Sequence, residues 1–146
     1  MSVATVGLQV RILLVEDSEP FLDFVSSNLG LQPDLQVVGE ALNGLEAVEK
    51  AEALQPDVIL LDIGLPRLNG IDVARRIRKL VPHARIIFLS QESSPDVVAE
   101  AFRAGAWGYI FKVNASKDLP RALNAVTEGK QFVGRGIDVP DMTDPV

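Results

Sequence analysis

Short continuous apolar runs alternate with longer amphipathic stretches along this chain. Ile12-Leu13-Leu14-Val15 is the first run and ends in Glu16-Asp17. Gln36-Val37-Val38-Gly39-Glu40 is a weaker second. Val58-Ile59-Leu60-Leu61 ends in Asp62, and Ile86-Ile87-Phe88-Leu89 ends in Ser90. Trp107-Gly108-Tyr109-Ile110-Phe111 is the fifth and ends in Lys112. Runs that are apolar throughout, rather than at every second position, predict strands buried on both faces, as in a parallel sheet.

Helix signals fill the intervals. Ser18 is placed to cap a helix with Glu19 and Pro20 in its first turn. Asn43 with Glu46 three residues on resembles a capping box. Asn69 precedes a third helix, with Val73, Ile77 and Leu80 on one face. Ser94-Pro95 opens a fourth, followed by Gly105 as a C-terminal glycine. Ser116 opens a fifth, which tolerates Pro120 near its start and ends at Gly129. Five strands alternating with five helices predict a doubly wound α/β domain. Its parallel sheet would have the order 2-1-3-4-5, the flavodoxin-like arrangement. The domain is expected over 10–130, with a short tail at 1–9 and a tail or the start of a linker at 131–146.

Composition narrows the function. A length of 146 residues suits one domain with its own core. The aromatic share is only 5%, so the core must be built from Val, Leu, Ile and Ala. A net charge of -6 argues against direct nucleic-acid binding by these residues, since an acidic surface repels phosphate backbones. With no cysteine, thiolate metal sites and Cys nucleophiles are excluded. No signal peptide is read at the N-terminus, and the apolar runs are too short for a membrane span, so a cytoplasmic protein is expected.

The chemistry collects at one edge. In a parallel sheet all strand C-termini lie along one rim, where ligands bind. Glu16, Asp17, Asp62, Ser90 and Lys112 each follow an apolar run, so four strands deliver polar groups there. Crowded carboxylates repel one another, and either their pKa values rise or a cation sits among them. Oxygen ligands favour a hard divalent ion such as Mg2+, which keeps several waters and accepts a phosphate oxygen. The Gly64 carbonyl could add a ligand. Phosphoryl transfer requires an in-line nucleophile and positive charge on the equatorial oxygens. Asp62 could be the nucleophile, with Lys112 supplying charge and Ser90 a hydrogen bond. The single histidine, His83, lies in a polar turn away from the rim, so the donor must come from outside.

These residues resemble the response regulator receiver domains of two-component signalling, from about Val10 to Gly129. Glu16-Asp17 looks like the family's acidic pair, and Pro56 to Pro66 like its phosphorylation strand and loop. Asn69-Gly70 looks like the start of its third helix, and Gly105 to Lys112 like its switch aromatic and lysine. The resemblance implies that Asp62 takes a phosphoryl group from the phosphohistidine of a sensor histidine kinase or phosphotransfer protein. Asp17, Asp62 and the Gly64 carbonyl would hold Mg2+ or Mn2+, with Glu16 nearby. Ser90 would move toward the phosphate and Tyr109 would turn inward. The surface of the fourth helix, fifth strand and fifth helix would then change partners, homodimerisation included. Such a domain is a signalling switch that catalyses only its own phosphorylation and dephosphorylation. Val113 stands where many members have proline, so a trans peptide is expected after Lys112. Lys112 to Ala115 and the later Leu119, Ala122 and Val126 are similar to the subgroup with LuxR-type helix-turn-helix outputs. The chain is either a receiver separated from such an output or one that stands alone.

Other readings weigh against this one. A haloacid-dehalogenase-like phosphatase would need an acid two residues past the nucleophile, where Gly64 stands. A flavin carrier would need donors in the first loop, which here is Glu16 to Glu19. A degenerate receiver would act only as a binding module, against which the acids, Ser90 and Lys112 speak. Each site residue also has a bland alternative: a strand-end acid, helix-dipole partners, a turn hydroxyl or a solvated lysine. Tyr109 and Trp107 could simply pack, and Arg75 to Lys79 reads as the solvated face of a helix.

Overall fold

The computed structural model describes residues 9–65, 68–91 and 94–137. Among them, parallel strands alternate with helices. These are β1 (Val10–Val15), α1 (Glu19–Leu29), β2 (Leu35–Ala41), α2 (Gly44–Leu54) and β3 (Val58–Asp62). Then come α3 (Gly70–Leu80), β4 (Arg85–Ser90), α4 (Pro95–Arg103), β5 (Gly108–Phe111), α5 (Ala115–Thr127) and β6 (Phe132–Val133). The sheet order is β2-β1-β3-β4-β5-β6. This is the flavodoxin-like α/β fold with one correction: six strands, not five. Phe132 and Val133 extend the sheet beyond β5, in register with Gly108 and Tyr109.

The inner stretches of β1, β3, β4 and β5 are apolar because both faces of the sheet are covered there. Leu13, Val15, Ile59, Leu61, Phe88 and Tyr109 face a layer made with α2, α3 and α4. Ile12, Leu14, Leu60, Ile87, Leu89 and Ile110 face α1 and α5. Successive residues thus enter opposite layers, the period of two that a strand imposes.

Side-chain caps fix where three helices start. Ser18, Asn43 and Asn69 accept hydrogen bonds from the backbone N–H groups of Phe21, Glu46 and Asp72. In α3 the buried stripe is Val73, Ala74 and Ile77 and passes to Val81, whereas Leu80 is exposed. The expected Leu80 lies off the stripe because the helix ends there and the backbone turns at Val81. The fifth helix starts at Ala115 rather than Ser116, led in by a 3-10 turn over Lys112–Asn114. That turn already carries the helical trajectory and removes the need for a serine cap. Pro120 lies inside α5. No described peptide bond is cis, the one after Lys112 included.

Candidate functional site

The register of the sheet brings the rim residues together. Val15 pairs with Leu61, so Glu16 and Asp62 stand side by side where β1 and β3 end. The sheet is extended in opposite directions from this pair of strands, which opens a crevice at their ends. Asp62 is also opposite Leu89 and Ser90 opposite Phe111, which sets Ser90 and Lys112 next to it. Glu16, Asp17, Asp62, Ser90, Gly64 and Lys112 line one cleft of about 300 Å3.

Within it, one oxygen from each of Glu16, Asp17 and Asp62 lies within 4.8 Å of the others. Glu16, Asp62 and Ser90 are buried, while Asp17 is exposed. The Lys112 ammonium bridges the two buried acids, 2.7 Å from Glu16 Oε1 and 3.4 Å from Asp62 Oδ2. The other Glu16 oxygen accepts the Ser18 N–H at 2.9 Å. Asp62 Oδ1 accepts the Gly64 N–H at 2.9 Å, which folds the following loop back over the carboxylate.

Burial pushes the Glu16 carboxyl above its ordinary value of 4.5, against the opposing pull of Lys112, and the Asp62 charge adds to the rise. Burial alone would lower the Lys112 pKa. The hydrogen bond it donates to Glu16 and the charge on Asp62 outweigh it, so the ammonium is held above 10.5. Lys112 therefore stays charged at neutral pH. Three carboxylates face one ammonium, which leaves a surplus of negative charge.

Two further residues support the site, of which only Gly70 was marked in the sequence. The ring of Phe21 lies 4.9 Å from the Lys112 ammonium and confines it from the side of α1. An aromatic in the first turn of a helix carries no signal for this role. Gly70 is the second. A Cβ there would sit 2.4 Å from the Asp62 carbonyl oxygen and 2.7 Å from the Ile63 Cα. Only glycine lets the start of α3 back onto the loop after Asp62, where its N–H donates to the Ile63 carbonyl. Asn69-Gly70 was singled out by resemblance, and this contact is its physical cause.

Tyr109 is wholly buried on the α3 and α4 side of the sheet, its ring 6.4 Å from that of Phe88. Trp107 is half-buried and stacks under the Arg85 guanidinium at 4.5 Å. His83 is exposed, away from the cleft. Arg75, Arg76, Arg78 and Lys79 are exposed on α3, and Arg75 pairs with Asp72 and Glu100. Pro66, the end of the expected phosphorylation loop, lies outside the described residues.

The family model for the response regulator receiver domain matches residues 12–124. The chain belongs to this family. The receiver is 38% identical over 118 residues to the chemotaxis protein CheY of Thermotoga maritima, covering 81% of this chain and 98% of that one. It is 36% identical over 124 residues to the DNA-binding transcriptional activator DevR/DosR of Mycobacterium tuberculosis, covering 85% of this chain and 57% of the relative. Among solved structures it matches a LuxR-family two-component response regulator from Aurantimonas sp. SI85-9A1. That match has a TM-score of 0.81 at 30% identity and covers 85% of this chain and 89% of the other. The receiver thus sits among LuxR- and NarL-type response regulators of phosphorelay signalling. It spans about three fifths of the length of the transcriptional regulators it matches. No helix among its described residues is long and apolar enough to cross a membrane.

Proposed function

We propose that this receiver is a phosphoacceptor switch in which Asp62 takes a phosphoryl group from the phosphohistidine of a sensor histidine kinase or phosphotransfer protein. The observation that carries the reading is the Lys112 ammonium set between Glu16 and Asp62 in a cleft with surplus negative charge. A carboxylate oxygen of Asp62 bonds to phosphorus as the phosphorus–nitrogen bond breaks, and the electron pair returns to the donor imidazole. The Gly64 N–H holds the Asp62 carboxylate in one orientation for that approach. Lys112 swings from its carboxylate partners to the incoming phosphoryl oxygens, and Ser90 donates a hydrogen bond to them.

The donor set suits a hard divalent ion. Three carboxylates against one ammonium require further positive charge, and all the ligands are oxygens. Asp17, Asp62 and the Gly64 carbonyl would hold Mg2+ or Mn2+, with Glu16 beside them. When bound, the ion neutralises charge on the phosphoryl oxygens. The buried pose of Tyr109 fits the inward state of a switch residue. The surface of α4, β5 and α5 would carry the response to a partner, a second copy included. The receiver catalyses only the gain and loss of its own phosphoryl group, acts in the cytoplasm and makes no direct contact with nucleic acid or membrane. Its module runs from residue 10 through α5 to β6, past the boundary expected at residue 130.

Incubation with Mg2+ and acetyl phosphate, followed by intact-protein mass measurement, tests this. One added phosphoryl group is expected, absent without Mg2+ and absent in Asp62→Asn. Labelling that persists in Asp62→Asn would overturn the acceptor assignment.

A further inference from the structure

The segment after α5 is tied down by contacts that the acceptor chemistry does not use. Phe132 N–H donates to the Trp107 carbonyl and Gly134 N–H to the Tyr109 carbonyl, both at 2.8 Å. Asp118 of α5 is only 1% exposed. Its Oδ2 accepts the Arg135 N–H at 3.0 Å, and its Oδ1 lies 3.5 Å from the Arg135 guanidinium. Asn114 donates to the Arg135 carbonyl. A buried carboxylate spent on one turn is costly unless that turn is held closely in place.

The packing agrees. A Cβ on Gly134 would meet the Tyr109 carbonyl oxygen at 3.1 Å and the Ile110 Cα at 3.2 Å. Gly136, at φ 77°, sits against the Phe111 ring. Ile137 is buried in the apolar cluster that holds Tyr109, Phe88 and Val98. So 131–137 forms a strap that is hydrogen-bonded to Trp107 and Tyr109, clasped to α5 through Asp118, and anchored by Ile137 in the apolar cluster that holds Tyr109.

We infer that the strap over 131–137 is a conformational relay, closed by the Asp118–Arg135 clasp when Tyr109 is inward and tightened when Asp62 is phosphorylated. This rests on the acceptor reading above. The closed strap and the inward tyrosine occur together here, and they share one apolar cluster and one backbone hydrogen bond. Coupling between them is reciprocal, so a change that favours the inward tyrosine would favour the closed strap by that same coupling free energy. The site at the strand ends is thereby read at the far edge of the sheet.

Residue-resolved hydrogen exchange at the Phe132, Gly134 and Arg135 amides is the measurement, on protein whose mass is checked in the same sample. With the phosphoryl adduct present, these amides are expected to exchange at least about fivefold more slowly, the lower end of ordinary coupling between sites. Asp118→Asn should abolish that slowing while still taking the adduct. In unphosphorylated protein, Tyr109→Leu should speed the same amides, while those of β1 and β3 stay slow and report an intact fold. An adduct without slowing overturns the relay and leaves the acceptor reading standing. No adduct from acetyl phosphate or from a phosphohistidine donor overturns the acceptor reading and the phosphorylation step of the relay. Unchanged exchange in Tyr109→Leu overturns the link to Tyr109 whatever happens at Asp62.

Discussion

Glu16 and Asp118 are both withdrawn from water, at 2% and 1% exposure, yet their surroundings are opposites. Asp118 meets one guanidinium and one backbone N–H from the same residue, so a cation stands against its charge. Glu16 shares one ammonium with Asp62, has Asp17 beside it, and faces a cleft. Burial alone therefore does not mark an acid that handles an ion or a phosphoryl group. The mark is charge left over at a place that an ion or a phosphoryl group can reach.

The largest effect should come from breaking the unbalanced site. Lys112→Met leaves buried acids without a cation and should cost about 3 kcal/mol without Mg2+. Phosphorylation should be severely impaired. Mg2+ should still bind and recover most of the loss, as urea unfolding with and without the ion would reveal. Asp118→Ala should cost about 2 kcal/mol, since Arg135 is half exposed and can turn to water. Mg2+ should recover none of it. A magnesium-sensitive midpoint in Asp118→Ala would erase the distinction between the two sites.

Acidity sharpens the contrast. Because the Glu16 pKa is raised in the fold, its contribution to stability is complete below 4.5 and lost as pH rises through the higher folded value. Lys112 is raised too, so its contribution holds through neutrality and is lost only as pH climbs through a value above 10.5. Metal-free protein should therefore lose stability as pH rises above 4.5, and Glu16→Gln should remove that part of the slope. Magnesium affinity should weaken as pH falls through the same interval, a trend that isothermal titration would follow. The smallest effect belongs to Asp17, which is exposed. Asp17→Asn should gain about 0.5 kcal/mol without Mg2+ by relieving repulsion, and should blunt the response to the ion.

The rim was readable from sequence because parallel strands stop together. A polar residue after an apolar run is therefore also a position in space, and Glu16, Asp17, Asp62, Ser90 and Lys112 all line the cleft where that logic puts them. Helix starts were readable where a side chain caps the backbone, as at Ser18, Asn43 and Asn69. What escaped was short or non-local. Phe132-Val133 is too brief to show a period, and it forms a strand only because β5 offers a free edge. Asp118 and Arg135 are 17 residues apart, and nothing in either neighbourhood announces the pairing. The 3-10 turn at Lys112 moved the start of α5 by one residue, since no capping side chain fixes it.

Every side chain proposed to touch the phosphoryl group or the ion comes from the end of a strand or the residues just after it, and none from the body of a helix. The outer faces of α1, α4 and α5 can therefore exchange residues freely without moving the Asp62 carboxylate. Chemistry and recognition vary on separate parts of the chain. Descendants of such a domain can acquire new correspondents by surface substitution alone, while the reaction that they report stays the same.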